Sequence, residues 1–204
     1  VSDRSTHWEQ VYASKPDAAL SWLQGDPALS LSLVDALPSV PRSALDVGGG
    51  QSRLAGDLLV RGVTEVTVID LSAAALQRAR ERLGDRAGLV RWLEGDAATS
   101  VDLPKVDLWH DRACFHFLTD AADQRAYAQQ AREAVLPGGH AIIAAFALDG
   151  PERCSGLPIQ RWSVDGLRHA FSEAFDLMNS ATEIHTTPWG ASQSFVYAVL
   201  RRRP

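Results

Sequence analysis

The chain reads as an α/β protein with a doubly wound, mostly parallel sheet, and three observations carry that reading. Short apolar runs alternate with helix-patterned segments from about residue 26 onward. The first of these runs, residues 43–47, ends in three consecutive glycines. The last two, residues 175–185 and 193–200, are joined by Thr186-Thr187-Pro188-Trp189-Gly190 with no helix between them, so they should pair antiparallel. Five strand–helix units followed by this hairpin predict seven strands, with the closing hairpin supplying the one reversed strand.

Each element has a local reason. Asp26-Pro27 offers a cap and a first-turn proline for a helix carrying Leu29, Leu33 and Leu37 at helical spacing. Residues 43–47 are short and apolar, which suits a buried strand, and residues 53–61 read as a helix stopped by Gly62. Residues 66–69 are apolar and rich in β-branched side chains, a strand by type and length. Ser72 caps a helix running to Leu83, and Gly84 closes it. Residues 89–93 and 106–110 are strands separated by a turn-rich stretch around Gly95 and Pro104. Residues 121–135 form a long amphipathic helix ended by Pro137-Gly138-Gly139, and residues 140–147 form the fifth strand. Ser163 caps a short helix reaching Phe171.

Composition narrows the partners. The 204 residues are 46% hydrophobic and 22% charged, the range of a folded globular chain, and they suffice for one core. The net charge of −5 includes a terminal run of three arginines, Arg201, Arg202 and Arg203, so the body is more acidic still. Such a body does not favour nucleic acid, whose phosphates need a basic surface. Cys114 and Cys154 are too few for a disulfide framework and lack metal-ligand spacing, so no metal is expected. The polar first residues show no leader, and the longest apolar run, 141–148, falls far below a membrane span. The expected location is cytoplasmic, with no membrane partner.

In doubly wound sheets, ligands bind beyond the carboxyl ends of the strands, near the switch point. Here the first strand runs into Asp46-Val47-Gly48-Gly49-Gly50-Gln51-Ser52. Glycines allow a tight turn and let a ligand approach the backbone. A plain strand-to-helix turn can also be glycine-rich, but three glycines in a row behind a strand-end Asp are harder to explain that way. A dinucleotide fingerprint would place another glycine three residues after Gly50, and that position is Arg53. A ligand without a pyrophosphate does not need it. Asp70, at the end of the second strand, can accept hydrogen bonds from both hydroxyls of a ribose. Asp96, beyond the third, can accept from an adenine amino group. Three acids at successive strand ends, Asp46, Asp70 and Asp96, suggest one nucleoside clamp.

With these pieces in order, the chain resembles the class I S-adenosylmethionine-dependent methyltransferases over nearly its whole length. The matching segments are Asp46 to Ser52, Asp70, Gly95-Asp96-Ala97, the fourth strand, Leu136-Pro137-Gly138-Gly139 and the closing hairpin. Ser52 departs from the glycine that many members carry. The resemblance implies a Rossmann-like methyltransferase fold in one domain, with residues 1–42 as a helical lid and 43–204 as the core. It implies S-adenosyl-L-methionine as cofactor and S-adenosyl-L-homocysteine as product. Gly48 and Gly50, with Gly49, Asp46 and Ser52, would face the methionine part. Asp70 and Leu71 would hold the ribose, and Gly95, Asp96 and the Ala97 backbone the adenine. From the lid, Trp8 and Trp22 would approach the cofactor, as would His110.

Methyl transfer is an in-line displacement that needs alignment and dryness more than acid–base machinery. The candidate catalytic groups follow the fourth strand in Trp109-His110-Asp111-Arg112-Ala113-Cys114-Phe115-His116. His110 would line the cofactor, and Asp111, Arg112 or His116 would orient or deprotonate an acceptor. Trp8 and Tyr12 stand one helical turn apart, which suits either a packed aromatic face or a lid over the site. The expected activity is methyl transfer to an O, N or S atom of a small molecule. The alternatives are a protein lysine acceptor and a non-catalytic S-adenosylmethionine-binding protein.

Overall fold

Strand β1 (Ser43–Val47) is buried at all five positions, Ser43 and Asp46 included, as befits a strand covered on both faces. The structure, a computed structural model, describes residues 3–14, 16, 19–99 and 102–204. β1 pairs in parallel with β2 (Glu65–Asp70), which pairs with β3 (Val90–Glu94). On its other side β1 pairs with β4 (Val106–Arg112), which pairs with β5 (Val135–Phe146), again in parallel. A minimal hairpin, β6 (Arg153–Cys154) with β7 (Leu157–Pro158), lies outside this sheet. The edge strand β8 (Phe175–Thr186) runs antiparallel to β9 (Ser192–Arg202), and β9 inserts antiparallel beside β5. The resulting order, β3-β2-β1-β4-β5-β9-β8, reverses direction at β1.

Register brings the strand ends together. Val47 sits beside Ile69 on one side and Asp111 on the other, and Asp70 sits beside Glu94. The residues that follow each strand therefore emerge along one rim. Side-chain alternation splits the core into two layers. Trp109 joins Phe115, Tyr127 and Phe171 on one face, while Leu108 joins Leu54, Leu58 and Phe146 on the other. Each fully buried side chain of this size contributes about 1.5–3 kcal/mol.

Helices α1 (Asp3–Ser14) and α2 (Ala28–Asp35) precede β1. Helices α3 (Leu54–Val60) and α4 (Ala73–Leu83) flank β2. Helices α5 (Ala121–Ala134) and α6 (Val164–Ala170) flank β5. The Ser72 hydroxyl accepts from the Ala75 N–H at 3.1 Å, and the Ser163 hydroxyl from the Gly166 N–H at 3.0 Å, as capping residues do. α1 docks on the start of α4: the Glu9 carboxylate accepts from the Ser72 hydroxyl at 2.7 Å and the Ala74 N–H at 3.2 Å. The lid expected over residues 1–42 includes residues 1, 2, 15, 17 and 18, which lie outside the described residues.

Three details differ from the sequence expectations. Pro27, not Asp26, holds the cap position of α2; its carbonyl accepts from the Leu31 N–H at 3.0 Å and no side chain caps the helix. β5 starts at Val135 rather than residue 140, because Val135 pairs with Val106 before a register shift leads to the Leu108–His140 pair. Residues 153–158, which the sequence reading assigns to no element, form the β6–β7 hairpin, whose turn residues Ser155 and Gly156 both have positive φ, 49° and 81°. That pair of angles is what a tight two-residue hairpin turn requires. No helix of the described residues is long and apolar enough to cross a membrane.

Candidate functional site

The glycine loop is drawn across the end of β2 by the Gly48 and Gly49 N–H groups, which donate to the Ile69 carbonyl at 2.8 and 3.3 Å. Gly50 takes φ +42°, and a Cβ there would lie 2.7 Å from the Tyr12 hydroxyl and 3.0 Å from Asp70 Oδ2. Only a glycine brings the loop this close to both groups. Ser52 accepts from the Leu54 N–H at 3.0 Å and so fixes the entry into α3.

Asp70 is buried, and its Oδ1 accepts from the Ser72 N–H at 2.9 Å. Burial pushes its carboxyl up to about 7, against the backbone N–H groups of Ser72, Gly50 and Leu71 and with help from the charge of Asp46. Asp96 accepts from the Ala98 N–H at 2.9 Å and pairs with Arg4 at 3.2 Å.

Two cavities meet over this rim. The first, about 750 Å³ including space open to solvent, is lined on the β2–β3 side by Asp70, Leu71, Gly95, Asp96 and Ala97. Its other walls are Trp8, Tyr12 and Trp22 from the N-terminal segment, and Cys114, Phe117 and Cys154 beyond β4 and β5. The second, about 510 Å³, runs along Gly48, Gly49 and Ser52 to Asp46, Ser30 and His110. They share Tyr12, Trp22, Val47, Gly48 and Arg112. The cofactor residues expected from sequence therefore line these two spaces, with Gly50 packed just behind.

The groups expected to be catalytic are spread differently. His110 Nδ1 meets Asp46 Oδ1 at 2.9 Å and its Nε2 meets the Ser30 hydroxyl at 2.9 Å, so the ring is committed on both sides and faces the second cavity. Asp46 Oδ2 is left buried with no partner. Two of these expectations, for Asp111 and His116, need correction, and Arg112 carries a further role. Asp111 accepts from the Cys114 and Phe115 N–H groups, both at 2.9 Å, and from the Tyr127 hydroxyl. It lines neither cavity and instead closes the turn after β4; burial raises its carboxyl to about 6 against the Tyr127 hydrogen bond. Arg112 lines both cavities, and three of its five N–H donors go to the Tyr197 hydroxyl (3.0 Å), the Trp22 carbonyl (3.0 Å) and Glu183 Oε2 (3.2 Å). It serves as a latch on the segment carrying Trp22. His116 packs between Phe117 and Phe146 and lines neither cavity; burial, with the nearby charge of Arg112, lowers its pKa to about 3. Its Nδ1 accepts from the Phe146 N–H at 3.3 Å.

Two further bonds hold the same segment: His185 Nε2 donates to the Ser21 carbonyl at 2.7 Å and Gln24 to Glu183 at 2.8 Å. Sequence reasoning did not single out Arg4, Ser30, Gln51 or Phe117. Gln51 adjoins the glycines and could have been weighed with them; the others come to the site only through tertiary packing. Gln51 Nε2 is a buried donor without a partner on the second cavity.

Comparison with known proteins agrees with this geometry. Residues 44–139 match a family model described as a methyltransferase domain. An uncharacterized methyltransferase of Mycobacterium tuberculosis is 32% identical over 118 residues, 56% of this chain and 56% of that one. Methyltransferase srdJ of Neurospora crassa is 25% identical over 153 residues, 72% of this chain and 63% of that one. The chain thus spans between half and two thirds of the length of the curated relatives it matches. Among solved structures, the N-methyltransferase NodS of Bradyrhizobium japonicum, in complex with S-adenosyl-L-homocysteine, aligns with TM-score 0.71 at 16% identity, covering 99% of this chain and 100% of that one. A Burkholderia thailandensis 1,6-didemethyltoxoflavin-N1-methyltransferase aligns with TM-score 0.71 at 18% identity, covering 98% and 88%. These structural likenesses speak for the fold. Together with the matched segment, residues 44–139, they make the chain similar to methyltransferases.

Proposed function

We propose that the protein transfers a methyl group from S-adenosylmethionine to an O, N or S atom of a small molecule. One observation carries the reading: the two adjoining cavities offer polar groups that match the two ends of an amino-acid nucleoside. On one side stand Asp70 and Asp96. On the other, Asp46 Oδ2 is a buried acceptor and Gln51 Nε2 a buried donor, each without a protein partner. An ammonium and a carboxylate would satisfy that pair, and unpaired buried polar atoms are rare enough to need such an account. The residues therefore fit the cofactor.

Bound S-adenosylmethionine supplies an electrophilic methyl on a sulfonium. The chain's own residues would do the rest. Asp70 accepts from the ribose hydroxyls, Asp96 and the Ala97 backbone take the adenine, and the glycine loop admits the methionine part. Trp8, Tyr12 and Trp22 exclude water from the reacting centre, where an in-line geometry supplies most of the catalysis. The roof they form favours an acceptor small enough to be enclosed.

Calorimetry with S-adenosylhomocysteine tests the reading. Binding should be measurable and should weaken strongly in Asp70→Ala; no heat at millimolar ligand would refute it. Labelled cofactor incubated with the enzyme and a cell extract, then separated by size, should label small molecules. Label confined to protein would replace the small-molecule acceptor with a lysine side chain.

A further inference from the structure

Two buried side chains on the second cavity each keep one polar atom without a partner, and each is clamped from behind through its other atoms. Asp46 Oδ1 meets His110 Nδ1 at 2.9 Å, and the far nitrogen of that ring meets the Ser30 hydroxyl at 2.9 Å. Oδ2 is left as an unpaired acceptor. Gln51 is 2% exposed, and its Oε1 accepts from Arg82 Nη2 at 3.1 Å. Arg82 Nη1 donates to the backbone carbonyl of the same residue.

This double grip settles which way the amide faces. A guanidinium only donates, so Gln51 must turn its oxygen to Arg82 and its nitrogen away. Nε2 is thereby held as a buried donor with no protein partner. Arg82 stands in the last turn of α4 and lines neither cavity, so it acts on the site from outside, through Gln51.

Other donors on the second cavity are placed differently. Arg112 lines it but is paired with Glu183 at 3.2 Å, and Arg53 lines it but is exposed, where water screens its charge. Leaving the Gln51 donor buried and unpaired is costly, and a carboxylate answers it most strongly, because hydrogen bonds to charged groups are the stronger ones. An uncharged donor also suits a cavity shared with Asp46. A cation at residue 51 would compete with a ligand's ammonium for that carboxylate.

Resting on the methyltransferase reading, we infer that Gln51 selects the methyl donor by its α-carboxylate, and that Arg82 is the positioning residue that aims the amide. A nucleoside thioether without the carboxylate leaves Nε2 unpaired and binds more weakly for that reason.

Calorimetry tests this by comparing S-adenosylhomocysteine with 5′-(3-aminopropylthio)-5′-deoxyadenosine, the same molecule without its carboxylate. The unaltered protein should prefer S-adenosylhomocysteine about 30-fold. Gln51→Glu keeps an oxygen for Arg82 and turns only the donor into an acceptor. It should weaken S-adenosylhomocysteine more than about 30-fold and the amine analogue less than about threefold, which removes the preference. Arg82→Met frees the amide to turn and should cut the preference about tenfold. A merely structural effect on the glycine loop would weaken both ligands alike and leave their ratio standing. A protein that binds neither ligand at millimolar concentration refutes the methyltransferase reading and the inference with it. Three results overturn the inference alone: equal affinity for the two ligands, a preference that survives Gln51→Glu, or a ratio unchanged by Arg82→Met. The second of these would hand the carboxylate to Arg53 or Arg112.

Discussion

Acidification should release the cofactor through Asp70, and the size of the effect can be worked out. In the unliganded protein burial holds this carboxyl near 7, so at pH 5 only about one molecule in a hundred carries the charge, against about nine in ten at pH 8. Two ribose hydroxyls donating to the carboxylate favour the ionised form, so the bound state titrates far lower. Binding below pH 7 must therefore release a proton. The affinity should fall about 100-fold, or roughly 2.7 kcal/mol, between pH 8 and pH 5. Calorimetric titration with S-adenosylhomocysteine in buffers of different ionisation enthalpy measures both the affinity and the proton. Asp70→Asn cannot ionise; it should bind about 10- to 100-fold more weakly at pH 8 and lose the slope. A wild-type affinity level from pH 5 to 8 with no linked proton would refute the reasoning, as would an Asn variant that keeps the slope.

Other substitutions separate scaffold from site. Arg112→Gln leaves Glu183 without its cation and frees the Trp22 carbonyl; it should cost about 2–4 kcal/mol in chemical denaturation and raise the acceptor KM more than it changes cofactor affinity. His116→Leu should leave turnover within about threefold and cost only about 1–2 kcal/mol of stability, because the ring accepts one backbone hydrogen bond and faces no cavity; a larger loss of turnover would restore it as a catalytic group. Gly50→Ala puts a Cβ into a left-handed residue and against the Tyr12 hydroxyl, so S-adenosylhomocysteine affinity should fall more than about 30-fold while the far-ultraviolet spectrum stays native.

Much of the fold is legible because it is written in local patterns. The apolar run into Gly48, the β-branched strand ending at Asp70, and the capping serines Ser72 and Ser163 each announce their element within a few residues. The acids of the proposed cofactor site are visible for the same reason, since Asp46, Asp70 and Asp96 each mark a strand end, and all three line the two cavities. The catalytic candidates after β4 show where this stops. Their composition is visible, but whether a side chain points into a cavity or behind it depends on the turn geometry at Cys114 to Phe117, which places Asp111 beneath the turn and His116 in the apolar layer. The partnership of Ser30, His110 and Asp46 joins residues far apart in the chain, and no spacing rule links them. The β6–β7 hairpin is too short to leave a periodicity.

Arg112 ties the Trp22 carbonyl to Glu183 and Tyr197, so the segment roofing the first cavity is moored to β8 and β9, while the acids proposed to hold the nucleoside stand on β2 and after β3. The sheet thereby divides evolutionary labour. On the proposed function, drift along the outer strands would re-aim the roof and exchange one acceptor for another, and the half proposed to recognise the methyl donor need not change with it.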